Sequence, residues 1–241
     1  MSLVTQTTLG EGFTSPIYRA GLVDLLGVLA YSEIVAFERM ATGATLAPTV
    51  AEREMVASLA AVELNHHRAL VARLDELGVD VDTAITPFRE PIDDFHERTA
   101  PSSWLEALVK IYVGDTIAAD FYRVVAASLD PRSREVVLAS LADAGHREFV
   151  VGAVRSGVAA DPAVAGRLAL WARRLVGEAL SQAQRIAAQR ETMAALLVGS
   201  PGSRDTSAPA PVLSDLADIG RLLVTLTAAH EERMVELGLS S

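Results

Sequence analysis

Residues 25–70 read LLGVLAYSEIVAFERMATGATLAPTVAEREMVASLAAVELNHHRAL, and this stretch decides the fold of the chain. Apolar residues recur in it at intervals of three and four, on both sides of a break at 42–48 that contains Gly43 and Pro48. Such spacing places apolar side chains on one face of a helix, and no strand-like alternation is sustained. The stretch therefore predicts two long helices joined by a short turn.

The composition of the whole chain favours the same kind of structure. Half of the 241 residues are hydrophobic, whereas aromatic residues make up only 5%. Alanine and leucine dominate the hydrophobic fraction together with valine, and both are strong helix formers that pack closely. We therefore expect an all-α protein. The sequence has no cysteine, which excludes disulfides, thiolate metal sites and cysteine nucleophiles.

Helical spacing continues outward from this stretch along almost the whole chain. It predicts six helices, near residues 16–42, 48–78, 102–128, 131–158, 163–197 and 212–238. Gly78 ends the second helix, and Pro131 and Pro162 each follow an aspartate and suit the start of a helix. Residues 199–211, rich in Gly, Ser and Pro, predict a flexible loop. Because helices of matching pattern lie on both sides of that loop, we expect one domain over residues 1–241.

An acid and a histidine recur at corresponding places in three successive helix pairs. These positions are Glu33 with His66, Asp115 with His146, and Glu178 with His230. The interval from acid to histidine is 33 residues in the first pair, 31 in the second and 52 in the third. Part of the longer third interval is the loop at 199–211. The sequence therefore predicts a repeated helical hairpin that carries polar residues at fixed offsets.

The spacing of these residues points to a metal site. Glu63 and Asp143 each precede a histidine by three residues, which places acid and imidazole on one helix face. The acids and histidines continue the apolar stripes of their helices, and buried carboxylates are normally paired, protonated or metal-bound. One acid from each of two helices and an acid-x-x-His from each of two others form the di-iron carboxylate arrangement of helical bundles. The predicted ligands are Glu33, Glu63, His66, Asp115, Asp143 and His146. Such donors suit iron or manganese, and zinc remains an alternative metal.

Several alternatives remain open at this point. Asp143 and His146 can instead pair with arginines in a structural core, and an aspartate is one methylene shorter than the usual glutamate. Glu178 and His230 can form a hydrogen-bonded pair between helices, or Glu178 can replace Asp115 or Asp143 as a ligand. His67 follows His66 directly and is expected to face outward.

Charge and terminal sequence limit the functional classes. The net charge is −10 and Lys110 is the only lysine, which argues against a general nucleic-acid binder. Residues 1–15 lack the basic start and apolar centre of a signal peptide. The longest apolar stretch, residues 21–37, contains Asp24 and Glu33 and falls short of a clean membrane span. We expect a soluble, cytoplasmic protein.

The sequence resembles a known family in three stretches. These are residues 25–70, VKIYVGDTIAADFYR at 109–123 and LALWARRLVGEALSQAQR at 168–185. They resemble actinobacterial ferritin-like proteins grouped by similarity with MiaE, the tRNA 2-methylthio-isopentenyladenosine hydroxylase, over roughly Thr14 to Leu237. The resemblance implies a ferritin-like bundle of four core helices plus an additional helix pair, a non-haem di-iron site on the six predicted ligands, and oxygen-dependent hydroxylation.

Three functional classes follow from these observations. The first is a di-iron oxygenase or hydroxylase that acts on an unidentified small molecule or modified nucleoside and needs an electron donor. The second is non-catalytic iron handling, against which the additional helix pair argues. The third is a metal-free structural protein that kept the bundle and lost the chemistry. A homodimer is plausible in each case.

Overall fold

The computed structural model describes residue 13 and residues 15–140, 146–198 and 216–239. Within these residues all repetitive secondary structure is helical, which confirms the predicted all-α class. The helices are α1 (Pro16–Gly43), α2 (Val50–Glu76), α3 (Val81–Ile85), α4 (Arg89–Arg98), α5 (Trp104–Ala126), α6 (Pro131–Ala139), α7 (His146–Ala160), α8 (Ala163–Gln189), α9 (Glu191–Val198) and α10 (Leu216–Glu236). The loop predicted at residues 199–211 lies outside the described residues.

Local sequence signals fix several helix ends. The Ser15 side chain accepts a hydrogen bond of 3.1 Å from the backbone N–H of Tyr18 and so caps α1. Gly78 follows α2 with a φ of +67°, a left-handed conformation that glycine adopts without strain. Asp130 caps α6 by accepting bonds from the backbone N–H groups of Arg132 and Ser133. These ends confirm the predicted breaks at Gly78 and Asp130.

The structure corrects the predicted helices in two places. The helix expected over 163–197 ends at Gln189, because Arg190 leaves the helical region with φ −131° and ψ 79°. The break lets α9 pack on α1, where the Arg190 guanidinium lies 2.8 Å from the Asp24 carboxylate. The helix expected over 131–158 is divided into α6 and α7 in the described residues.

A further correction concerns residues 79–101, where the sequence pattern predicted no helix. The chain forms α3 and α4 there, joined by a 3₁₀ turn at Thr86–Phe88. The Asp80 side chain caps α3 with a 2.8 Å bond from the backbone N–H of Thr83. Phe88 between the two helices is fully buried. Tertiary packing thus stabilises helices that are too short to show a clear period.

The first two long helices are antiparallel, and α5 runs antiparallel to α1. A guanidinium nitrogen of Arg19 donates a 2.6 Å hydrogen bond to the carbonyl of Leu77, which ties the start of α1 to the end of α2. The Tyr18 hydroxyl bonds to Asp130, which lies just beyond α5, at 3.0 Å. The chain therefore reaches α5 through the α3 and α4 crossover, and α1, α2 and α5 share one interior.

Helix α1 is the central element of this bundle. Leu25, Leu26 and Ala30 are fully buried in it, packed against residues of α2, α3 and α5. Among the described residues, the segment Pro16–Leu46 is the one long and apolar enough to cross a membrane, yet 56% of its most apolar window is buried inside the protein. That burial is typical of the core helix of a soluble bundle.

Candidate metal centre

The predicted acid of the first helix and the predicted Glu-x-x-His pair of the second meet inside the bundle. Glu33 lies on α1 and Glu63 and His66 lie one turn apart on α2. Next to them, the His67 Nδ1 donates a 2.8 Å hydrogen bond to the backbone carbonyl of Ala30 and holds α2 against α1. His67 is therefore partly buried between the helices, and the expectation that it faces outward is wrong.

The geometry of this cluster is compact. His66 Nδ1 lies 3.3 Å from Glu63 Oε2 and 3.9 Å from Glu33 Oε2. One ligand atom from each of the three residues lies within 4.8 Å of the others. Glu33 is 6% exposed and Glu63 is 8% exposed, so both carboxylates are largely removed from water. Three oxygen and nitrogen donors thus surround one small buried volume.

The carboxyl groups of the cluster lie so close together that they alter each other's pKa. Burial raises the pKa of Glu33 well above its usual range, and the hydrogen bond and negative charge of Glu63 raise it further. The charge of Asp115 acts in the same direction. Two buried carboxylates in contact cannot both ionise without a cation between them. The residues therefore fit a divalent metal ion, whose charge would satisfy the acids and whose shell the imidazole would complete.

Asp115 lies close to this cluster on α5. Its charge raises the pKa of the Glu33 carboxyl and also that of the Tyr122 hydroxyl, so its carboxylate acts on the same interior. The Asp115 side chain is only partly buried. The structure thus brings Glu33, Glu63 and His66 together and places Asp115 beside them.

The other half of the predicted ligand pattern stays a prediction. Asp143 lies outside the described residues. His146 is the first residue of α7, but its side chain also falls outside them.

The third pair, Glu178 and His230, does not form a hydrogen bond, which was one of the two alternatives for these residues. His230 is 4% exposed on α10, and neither of its ring nitrogens has a hydrogen-bond partner. Burial lowers the pKa of this imidazole, and the nearby Arg233 lowers it further. Glu178 is partly buried on α8. Among the described residues, neither joins the cluster of Glu33, Glu63 and His66.

A tyrosine completes the surroundings of Glu33. The Tyr122 hydroxyl on α5 donates a 3.0 Å hydrogen bond to Glu33 Oε1. The other carboxylate oxygen, Glu33 Oε2, is the one that faces His66. Burial raises the pKa of Tyr122 far above its usual range, so the hydroxyl stays protonated and remains a donor. The two other tyrosines near the predicted acids bond elsewhere, Tyr31 to Asp93 and Tyr112 to Glu236.

Replacing Tyr122 with phenylalanine is expected to weaken metal binding about tenfold without changing its stoichiometry, because a partner that orients a ligand is lost while every ligand stays. A competition titration of Fe(II) against a chelator measures this affinity. Tyr31→Phe, which removes a bond to the exposed Asp93, serves as the control and should bind as the parent does. Equal affinity in Tyr122→Phe and the parent would show that the hydroxyl does not support a ligand.

Comparisons with known proteins agree with this architecture. The family described as a ferritin-like domain of actinomycetes matches residues 16–200. Among solved structures, a Synechococcus protein described as having aldehyde deformylating oxidase activity matches with a TM-score of 0.65. That match has 20% sequence identity and covers 93% of this chain and 96% of that one. A search of curated protein sequences finds no match. Since the family match extends over most of the chain and the fold agrees along nearly all of it, the chain belongs to the actinomycete ferritin-like domain family.

Proposed function

We propose that this chain is a ferritin-like di-metal oxygenase that uses iron, or alternatively manganese, to hydroxylate an unidentified small molecule or modified nucleoside. The observation that carries the proposal is the buried contact of Glu33, Glu63 and His66. Ferritin-like bundles with this donor set hold two metal ions between facing helices. Asp115, Asp143 and His146 are proposed as the remaining ligands.

Each residue of the cluster has a defined task in this proposal. Glu33 and Glu63 would neutralise the bound cations, and His66 would supply a nitrogen donor from the same face of α2 as Glu63. Tyr122 fixes one oxygen of Glu33, which leaves the other oxygen free to face the metal. When bound, two redox-active ions supply the electrons that the reduction of O₂ requires. Leu29 and Ala30 are buried on the preceding turn of α1, and in this proposal they would limit the access of bulk water from that side.

The comparisons support the general class of this reaction. The Synechococcus protein is described as having an oxidase activity, and a redox role proposed for this chain is consistent with that description. At 20% identity the match supports the fold and carries no substrate to this chain. The resemblance to the MiaE group supports hydroxylation with a separate electron donor as partner, and we propose that the reaction takes place in the cytoplasm. The acidic net charge of −10 fits a small or isolated substrate better than an extended nucleic acid.

Elemental analysis and oxygen uptake test the proposal directly. Protein purified without chelator, or loaded with Fe(II) under anaerobic conditions, should hold about two metal ions per chain. Admitting air to the reduced, iron-loaded protein should consume O₂ faster than the same Fe(II) does in buffer, as measured with an oxygen electrode. The absence of bound metal after anaerobic loading would overturn the proposal and favour a structural role. Stoichiometric metal without O₂ uptake would leave a metal protein that is not an oxygenase.

A further inference from the structure

An open groove lies between the start of α2, the start of α5 and α7. Its volume is about 510 Å³, which is within the range of small-molecule sites. Trp104 and Leu105 on α5 and Phe149 on α7 are partly buried and supply its apolar walls. The rings of Trp104 and Phe149 contact each other edge-on, with centroids 6.5 Å apart and an interplanar angle of 61°. Two aromatic rings thus border one small volume, which we refer to as the aromatic groove.

Two glycines of α7 line the aromatic groove, and only one of them has a packing reason. A Cβ at Gly157 would lie 2.7 Å from Leu105 Cδ1, so this glycine lets Leu105 pack closely against α7. A Cβ at Gly152 would meet no atom of the described residues within 4 Å. A glycine inside a helix costs stability relative to alanine. Gly152 therefore leaves the groove open at some cost to the stability of α7.

Glu52, in the first turn of α2, is the one ionisable residue among those that line the groove. Its Oε2 accepts a 2.6 Å hydrogen bond from the Thr49 hydroxyl, and that hydroxyl accepts a 3.2 Å bond from the Glu52 backbone N–H. These bonds cap α2, which is a task that a neutral glutamine can also perform. Among the described residues no basic side chain forms an ion pair with Glu52. The groove is thus lined by a partly buried carboxylate without a counterion.

The basic residues around the groove are directed elsewhere. Arg147 and Arg155 on α7 donate hydrogen bonds of 2.9 and 2.7 Å to the side chain and the backbone carbonyl of Glu236 on α10. Arg53, the residue after Glu52, is turned by about 100° around α2 and does not line the groove. Aromatic faces attract ammonium groups, tryptophan most strongly, and a carboxylate adds a charge-assisted hydrogen bond. The charge and the walls of the groove therefore both match an organic cation.

The aromatic groove is separate from the candidate metal centre. Glu52 precedes Glu63 by 11 residues on α2, and Trp104 precedes Asp115 by 11 residues on α5. Eleven residues are three helical turns, or about 16 Å along the helix axis. An occupant of the groove is therefore a molecule of its own, distinct from a ligand of the metal ions.

We propose that the aromatic groove binds a small organic cation, an ammonium group that carries an apolar substituent. The ammonium group lies between the Glu52 carboxylate and the rings of Trp104 and Phe149. The apolar substituent lies against Leu105 and along the open surface of α7 at Gly152. Small-molecule sites commonly combine such apolar walls with a single charged group that fixes the orientation of the ligand. This inference does not depend on the metal centre.

Three probes with the same phenylpropyl group test the required charge. They are 3-phenylpropylamine, a cation at neutral pH, the uncharged 3-phenylpropan-1-ol and the anion 3-phenylpropanoate. The chain has two tryptophans, so NMR of their indole N–H groups follows binding. The amine should shift the Trp104 resonance to saturation and bind about fivefold more tightly than the alcohol, as a partly exposed ion pair allows. The anion should bind more weakly than the alcohol. Trp171, which donates a 3.0 Å bond to the Glu106 carbonyl, is the internal reference and should not shift.

Variants separate binding of the cation from capping of α2. Glu52→Gln keeps an acceptor for the Thr49 hydroxyl, so the protein should fold, and its affinity for the amine should fall about fivefold to that for the alcohol. Glu54→Gln removes an exposed acid of the same helix outside the groove and should bind the amine as the parent does. Gly152→Leu adds a side chain where a Cβ has open space, so it should fold and bind none of the probes.

An unmoved Trp104 resonance, equal affinity for the amine and the alcohol, or unchanged binding of the amine in Glu52→Gln or Gly152→Leu would overturn the inference. Metal-free protein and the Glu63→Ala variant should bind the amine equally well. Loss of metal binding with intact binding of the amine would refute only the oxygenase, whereas intact metal binding without binding of the amine would refute only the cation site.

Discussion

Glu63→Ala is expected to reduce bound iron from about two ions per chain to none. Glu63 lies 3.3 Å from His66 and hydrogen-bonds with Glu33, so it contacts both other members of the cluster. Its removal leaves five of the six proposed ligands but takes from the buried cluster a carboxylate that contacts both Glu33 and His66, so we expect neither ion to be held against buffer and chelator. Elemental analysis after anaerobic Fe(II) loading and desalting measures the loss.

The matched control is Glu54→Ala, which removes an exposed glutamate from the same helix and should leave the metal content unchanged. Without metal, Glu63→Ala should be no less stable than the parent, because Glu63 destabilises the ionised form of Glu33. Denaturant unfolding of both metal-free proteins tests this second expectation. Full metal content in Glu63→Ala would show that the cluster is not the metal centre.

The sequence predicts the bundle well because its long helices carry their own signals. Glu33, Glu63 and His66 could be recognised since each continues an apolar stripe, and an acid in such a stripe must be compensated. The spacing of three residues then assigns Glu63 and His66 to one face without any knowledge of the fold. The all-α bundle and the three contacting residues could therefore both be predicted from local patterns, whereas the ferritin-like fold was implied by the family resemblance.

What the sequence could not predict depends on contacts between distant segments. Tyr122 lies 89 residues from Glu33, and among three tyrosines near the acids no pattern distinguishes the one that bonds to a ligand. Helices α3 and α4 are short and gain their stability from packing on α1 and α8, so their period is weak.

Gly27→Ala is expected to destabilise the protein by about 3 kcal/mol, the largest stability effect that we predict for a single added methyl group. Gly27 is buried on α1, and a Cβ there would lie 2.3 Å from the backbone carbonyl oxygen of Ala84 on α3. A backbone atom cannot rotate away, so α3 would have to separate from α1. Thermal unfolding should show a Tm lower by roughly 10 °C.

Gly166→Ala on α8 is the control for this substitution, because a Cβ at that position meets no atom within 4 Å. It should raise stability by about 0.5 kcal/mol, since alanine is the better helix former. The comparison matters for function because α3 begins the crossover between α2, which carries Glu63 and His66, and α5, which carries Asp115. If Gly27→Ala unfolds at the parent's Tm, α3 does not lie against α1 as closely as described, and the placement of α5 beside the candidate metal centre loses one of its supports.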